Sequence, residues 1–116
     1  MHVALCQIPV SSRAEVNSGR VRDALERAAD QGADLAVFPE ATQVRFGSDL
    51  RAAAEPLDGP FCSGLAAAAK QTGVALVAGV FEPAPGGRVY NTAVAYDGAG
   101  EQIGRASCRE RVCELV

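Results

Sequence analysis

The sequence has 116 residues, of which 48% are hydrophobic and 22% charged, and its formal net charge is -3. This length fits one small domain, and no window holds the roughly 18 consecutive apolar residues of a membrane span. Acidic residues outnumber basic ones and only 5% of residues are aromatic, which argues against a nucleic-acid partner. The first residues lack the basic and long apolar regions of a secretory signal, which predicts a cytoplasmic location.

The first third of the chain predicts a strand, a helix and a second strand. Ser12 and Glu15 have the spacing of a capping box, and the apolar residues that follow recur with helical period. Because strand–helix–strand units are right-handed, the two strands should be parallel. The predicted elements are a strand over His2–Ile8, a helix over Ala14–Gln31 closed by Gly32, and a strand over Asp34–Phe38.

The rest of the chain predicts two more helices and a hairpin. With the first unit, this order of elements predicts an α/β fold with helices packed on a largely buried sheet. The predicted elements are a short helix within Asp49–Glu55, a helix over Pro60–Thr72 ending at Gly73, strands over Val74–Phe81 and Arg88–Tyr96, and a last strand beginning over Glu101–Gly104.

Glu40 is the candidate catalytic residue, because it follows the apolar strand that ends in Val37-Phe38-Pro39. Sites in open α/β sheets form beyond the carboxyl ends of strands. A partly desolvated glutamate there would have a raised pKa, which suits a general base near neutral pH. The residues alone leave a second interpretation open, in which Glu40 is a solvated or helix-capping side chain.

Several motifs in a fixed order resemble the N-terminal part of the nitrilase superfamily, the carbon–nitrogen hydrolases. The resemblance covers residues 1 to 104 and implies the first portion of an αββα sandwich. The residues that carry it are Val3-Ala4-Leu5-Cys6-Gln7, Asn17, Gly32-Ala33-Asp34, Val37-Phe38-Pro39-Glu40, Gly79, Tyr90-Asn91-Thr92-Ala93, Asp97-Gly98 and Gly100-Glu101.

The resemblance implies hydrolysis of a non-peptide C–N bond in a small amide by a Glu-Lys-Cys triad, with no metal or organic cofactor. Glu40 matches the glutamate that acts as general base. The family's lysine should follow the strand that begins at Glu101, where this sequence reads Gly104-Arg105-Ala106-Ser107-Cys108-Arg109. Lys70 lies in a helix and cannot replace it, so we expect this chain to be inactive. The resemblance also implies a homo-oligomer for the full-length protein.

The cysteines do not match the family's nucleophile, which belongs much further along a full-length chain. Cys6 is expected to be a core residue, and Cys62 opens a helix, where packing is its expected role. Cys108 and Cys113 stand in other sequence contexts, and their spacing without a second pair is a poor zinc signal. In the loop after Glu40, Arg45 and Phe46 either face a substrate or serve as ordinary loop and packing residues.

Residues 105–116 are interpreted as an artefactual tail outside the family. The run Ile103–Val112 resembles the translation of a common sequencing adapter, and the family motifs stop at its start. A genuine helix over Arg105–Glu114 is the competing interpretation. In such a helix Glu110 would pair poorly with Arg109 and Arg111, because these residues are its direct neighbours and side chains on a helix meet at spacings of three or four.

Two other functions are considered for the chain. It could be a non-catalytic interaction module that keeps the start of the fold and pairs with a full-length relative. A nucleotide-binding strand–helix unit is disfavoured, because the turn over Gln7–Ser12 contains no glycine and no phosphate-cradling motif.

Overall fold

The computed structural model of the chain describes residues 1–108 and shows a five-stranded sheet with its two longer helices on one face. Cys113 and most of the alternative helix considered for the tail lie outside this range. The elements in chain order are β1 Val3–Leu5, α1 Ala14–Asp30, β2 Leu35–Val37, α2 Leu50–Ala53, α3 Pro60–Thr72, β3 Ala75–Ala84, a 3-10 turn Pro85–Gly87, β4 Arg88–Tyr96 and β5 Gln102–Ser107.

The sheet confirms the predicted α/β class, and its strands are ordered as they occur in the chain. Strands β1, β2 and β3 are parallel, while β3, β4 and β5 form an antiparallel meander. Strands β1 and β2 are shorter than predicted, each with three residues, and each is soon followed by a proline that cannot donate to a ladder. Strand β3 is longer than predicted because the hairpin pairing continues to Ala84 opposite Arg88.

Helices α1 and α3 confirm the predicted helices, but the capping box predicted for α1 is wrong. Arg13 is the N-cap residue, and no side chain caps the helix. Ser11 lies nearby with its main chain bonded to the Asn17 side chain, while its hydroxyl accepts from the Arg13 N–H. Glu15 pairs with the Arg13 guanidinium instead of reaching back to the main chain. The contact with Asn17 therefore determines how the chain enters α1.

The core lies between the sheet and helices α1 and α3. Each helix contributes one apolar stripe, and the sheet contributes the side chains of alternate residues. Among the most deeply buried side chains are Val21, Leu25, Leu65, Leu76, Val80 and Val94.

The opposite face of the sheet is apolar and is left uncovered over β1 and β2 within residues 1–108, whereas the segment that contains α2 packs on it over the far end of β3 and β4. Val3 and Leu5 of β1 are 49% and 80% exposed there. The register places Leu35, Val37 and Val77 on the same face, and these are only partly buried.

Strand β5 continues beyond the predicted domain boundary at residue 104. It pairs with β4 as far as Ser107 opposite Thr92. Arg105, assigned to the tail, forms an ion pair with Glu82 on β3 at 2.8 Å. The artefactual origin of residues 105–116 stays a prediction, but their first three residues form part of the sheet.

Candidate functional site

The segment after β2 runs across β3 before it returns toward the helices. Strand-like pairing continues past β2, since the Phe38 N–H donates to Val77 O at 2.9 Å and the Gly79 N–H donates to Pro39 O at 3.2 Å. The Gly79 carbonyl then accepts from the N–H groups of Thr42 and Gln43 at 3.0 and 3.1 Å. The main chain of Gly79 therefore forms hydrogen bonds with the main chain on both sides of Glu40.

Gly79 also permits a close approach of the two main chains. A Cβ atom at this position would overlap with the carbonyl oxygen of Glu40. Only glycine leaves room for this crossing, which explains why the family-like motif has glycine within an otherwise apolar strand.

A buried amide pair holds the end of the same segment. The Gln43 side chain accepts from the Phe81 N–H at 2.9 Å and donates to Ala53 O at 2.6 Å. The Asn17 side chain donates to Gln43 O at 2.8 Å. Because both amides are essentially inaccessible to solvent, these bonds fix the return of the loop toward α1.

The Glu40 side chain lies at the carboxyl end of β2, as predicted. Its Oε1 atom accepts a hydrogen bond of 2.7 Å from Asn91 Nδ2 on β4. The expected partial desolvation is wrong for the described residues, because Glu40 is exposed. The physical reason is that the segment around α2 covers only the far end of β3 and β4 and leaves the part of the face beside Glu40 uncovered within residues 1–108.

Glu40 and Asn91 line a shallow cavity of about 250 Å³. Its lining also includes the small residues Gly79 and Ala93, together with Val77 and Cys108. The Cys108 N–H donates to Asn91 O at 2.9 Å, so the end of β5 is held beside the residue that contacts Glu40.

Cys108 lines the cavity, although the sequence interpretation assigned it no role because its local context does not resemble the family's cysteine. The sequence contained one signal for its position, which was the number of residues between Cys108 and the turn at Asp97-Gly98. The family's lysine is expected immediately after the strand that begins near Glu101, and residue 108 follows β5 directly. Cys108 belongs to the stretch Gly104–Arg109, where the resemblance implies the family's lysine, and it lines the cavity that contains Glu40.

The other singled-out residues do not join this cavity. Cys62 is buried at the start of α3, where burial raises the pKa of its thiol. Burial also raises the pKa of the Cys6 thiol on the edge of the sheet. Lys70 is in the last turn of α3, as predicted. Phe46 packs edge-on against Phe81, with ring centroids 5.7 Å apart, which favours a packing role.

Within residues 1–108, no group of three or more His, Cys, Asp or Glu side chains could hold a metal ion. No helix in this range is long and apolar enough to cross a bilayer.

Comparison with known proteins identifies the family. Residues 2–110 match the family described as carbon–nitrogen hydrolase. The chain belongs to this family. The resemblance to the nitrilase superfamily is therefore confirmed.

Individual relatives agree with this assignment. A hydrolase of Mycobacterium tuberculosis is 43% identical over 95 residues, which is 82% of this chain and 34% of the relative. An omega-amidase of Danio rerio is 34% identical over 91 residues, which is 78% of this chain and 33% of the relative. The chain thus spans about one third of the length of these carbon–nitrogen hydrolase relatives.

The fold matches that of a solved amidase from Nesterenkonia sp. AN1. The two chains superpose with a TM-score of 0.79 at 24% identity, over 97% of this chain and 48% of the amidase. This likeness confirms the predicted nitrilase-like α/β fold.

Proposed function

We propose that this chain is the base-bearing portion of a carbon–nitrogen hydrolase that cleaves the non-peptide C–N bond of a small amide. Glu40 is the general base. The observation that carries the proposal is the cavity that brings Glu40 together with residue 108, which lies in the stretch where the resemblance implies the family's lysine. The omega-amidase relative supports amides as the substrate class.

In this mechanism, Glu40 takes the proton of a cysteine thiol while the sulfur adds to the amide carbon. A lysine at the position of residue 108 stabilises the oxyanion. The tetrahedral intermediate then expels the amine, which receives the proton from Glu40. Glu40 next takes a proton from water, whose oxygen attacks the thioester and releases the acid and the thiol. The nucleophile comes from a segment downstream of this chain.

The chain as given is proposed to be inactive by itself. Residue 108 is a cysteine rather than a lysine, and none of its cysteines stands in the nucleophile's sequence context. The complete enzyme is proposed to be a cytoplasmic homo-oligomer that needs no cofactor.

The test compares the 116-residue chain with the product of the genomic reading frame continued downstream of Gly104. Ammonia release is measured on a panel of small linear amides. We expect turnover only by the longer protein, and its loss in Glu40→Gln but not in the control Glu26→Gln on α1. If the 116-residue chain cleaves an amide and its Glu40→Gln variant does not, the proposed inactivity of this chain is contradicted. Turnover by the longer protein that survives Glu40→Gln would contradict the role of Glu40.

The uncovered apolar face of the sheet favours one alternative, a non-catalytic module that pairs with a full-length relative. Such a module would co-purify with that relative when the two are expressed together. Replacement of Leu5 by lysine would disrupt the pairing, because it places a charge on the exposed face. Absence of a complex would exclude this alternative.

A further inference from the structure

We propose that Asn91 is a positioning residue for the Glu40 carboxylate, an inference that rests on the proposed role of Glu40 as base. The two side chains are 51 residues apart in sequence and are joined by the 2.7 Å bond from Asn91 Nδ2 to Glu40 Oε1. Asn91 thereby selects one orientation of an otherwise exposed side chain.

The β3–β4 hairpin holds Glu40 at two points. Gly79 on β3 bonds the main chain on both sides of Glu40. Asn91 on β4 bonds its side chain. Both anchors belong to one hairpin, because Gly79 pairs with Ala93 and Asn91 pairs with Phe81 in the longest ladder of the sheet. Sites built on strands hold their geometry more closely than sites built on loops.

The contact also determines which atom of Glu40 can react. An amide N–H can only donate, so Oε1 must act as an acceptor, as it does in a carboxylate. With Oε1 directed toward Asn91, Oε2 is the oxygen left to take a proton. The orientation of the carboxylate toward the cavity is therefore set before any substrate enters.

The main chain of Asn91 is also held in place. Its carbonyl oxygen accepts from the Cys108 N–H at 2.9 Å. This bond joins the position proposed for the lysine to the residue that orients the base. Asn91 thus sets the spacing between the two sides of the cavity.

Asparagine is suited to this role because it donates without carrying a charge. An aspartate of the same shape would place a second carboxylate against Glu40 and would offer no donor when ionised. Alanine would leave Glu40 free to rotate.

The contact can be measured directly, because the chain has only two asparagines, Asn17 and Asn91. The protein is labelled with ¹⁵N-asparagine and its side-chain amide signals are recorded at a dilution where sedimentation shows a monomer. We expect Glu40→Ala to shift the Asn91 signals and leave those of Asn17 in place. The control Glu26→Ala should move neither pair. Asn91 signals unchanged by Glu40→Ala would overturn the proposed contact.

The positioning role is measured in the longer protein. Misplacing a catalytic group by about 1 Å can lower the rate by about 100-fold. We therefore expect Asn91→Ala and the isosteric Asn91→Asp to lower kcat by about 10- to 100-fold with little change in KM. If turnover is lost in Glu40→Gln and yet is unchanged in both Asn91 variants, that result overturns the role of Asn91 and leaves the proposed function intact. If the longer protein cleaves no amide, the proposed function fails, and with it the inference.

Discussion

Gly79 lies so close beneath Glu40 that a Cβ atom there would overlap with the Glu40 carbonyl oxygen. Gly79→Ala must therefore displace the segment that carries the proposed base. We expect a loss of about 1–3 kcal/mol in the free energy of unfolding, which is typical of overpacking, measured by urea denaturation.

Gly104→Ala is the matched control, because it adds the same methyl group to a strand. Its Cβ would meet only the Ala95 side chain at 3.7 Å, which is ordinary van der Waals contact. Equal stability losses in the two variants would show that the crossing at Gly79 is not tight.

Replacement of Gln43 by alanine should be more costly than a surface change of the same kind. It would leave the Phe81 N–H and Ala53 O without the partners they have now. Each buried group left unsatisfied costs about 1–3 kcal/mol. We expect this loss in urea denaturation, whereas the exposed Gln7→Ala should change stability by less than about 0.5 kcal/mol. A Gln43→Ala protein of unchanged stability would contradict the structural role of this amide.

The Arg105–Glu82 pair predicts that Arg105 contributes to stability although it lies in the proposed tail. Its Nε and Nη2 atoms contact the same Glu82 oxygen at 2.9 and 2.8 Å, and the Glu82 side chain is only 12% exposed. Because the Arg105 side chain is 38% exposed, solvent weakens the interaction, and we expect a contribution of about 1–2 kcal/mol. Thermal denaturation should show a loss of that order in Arg105→Ala.

The exposed Arg13–Glu15 pair provides the comparison, since its two side chains are 71% and 68% exposed. Arg13→Ala should cost less than about 1 kcal/mol. If Arg105→Ala costs no more than this control, the end of β5 does not stabilise the fold.

Alkaline pH should destabilise the protein through Cys62 and Tyr96. Burial raises the pKa of the Cys62 thiol from its ordinary value of 9.0, and burial also raises the pKa of the Tyr96 hydroxyl from 10.0. The unfolded chain therefore loses these protons at lower pH than the folded chain. Stability is fully present below about pH 9 and falls as the pH rises above it.

Urea denaturation between pH 7 and 10.5 measures this effect. Tyr96→Phe and Cys62→Ala should each make the alkaline decline shallower, whatever their effect at pH 7. A decline of unchanged slope in the double variant would show that other groups cause it.

The uncovered sheet face predicts self-association that depends on concentration. Leu5 and its apolar neighbours on this face invite contact with a second copy of the chain. Leu5→Lys should shift sedimentation toward the monomer. Ala67→Lys, on the exposed side of α3, adds the same charge elsewhere and should not. An equal shift in both variants would indicate that net charge is responsible.

The sequence predicted the parts of the fold that depend on local patterns. The ends of α3 follow from Pro60 and Gly73, which start and close that helix in the way expected of these residues. The start of α1 at Ala14 was predicted correctly, but its capping box was not, because the main chain before the helix is held by the contact between Ser11 and the Asn17 side chain.

The candidate site was predicted only in part for the same reason. The position of Glu40 after β2 follows from a short motif. Its contact with Asn91 depends on how two strands lie against each other, and no local spacing encodes it. The exposure of Glu40 depends on which elements pack over the sheet face, and the local motifs do not describe that packing.

The order of strands in the sheet has a consequence for how the chain assembles during synthesis. Each strand from β2 to β5 pairs with the strand made immediately before it. No earlier pair must open to admit a later strand, so the sheet can grow steadily as the polypeptide leaves the ribosome. Glu40 and Asn91 can therefore meet as soon as β4 emerges, before any downstream segment exists.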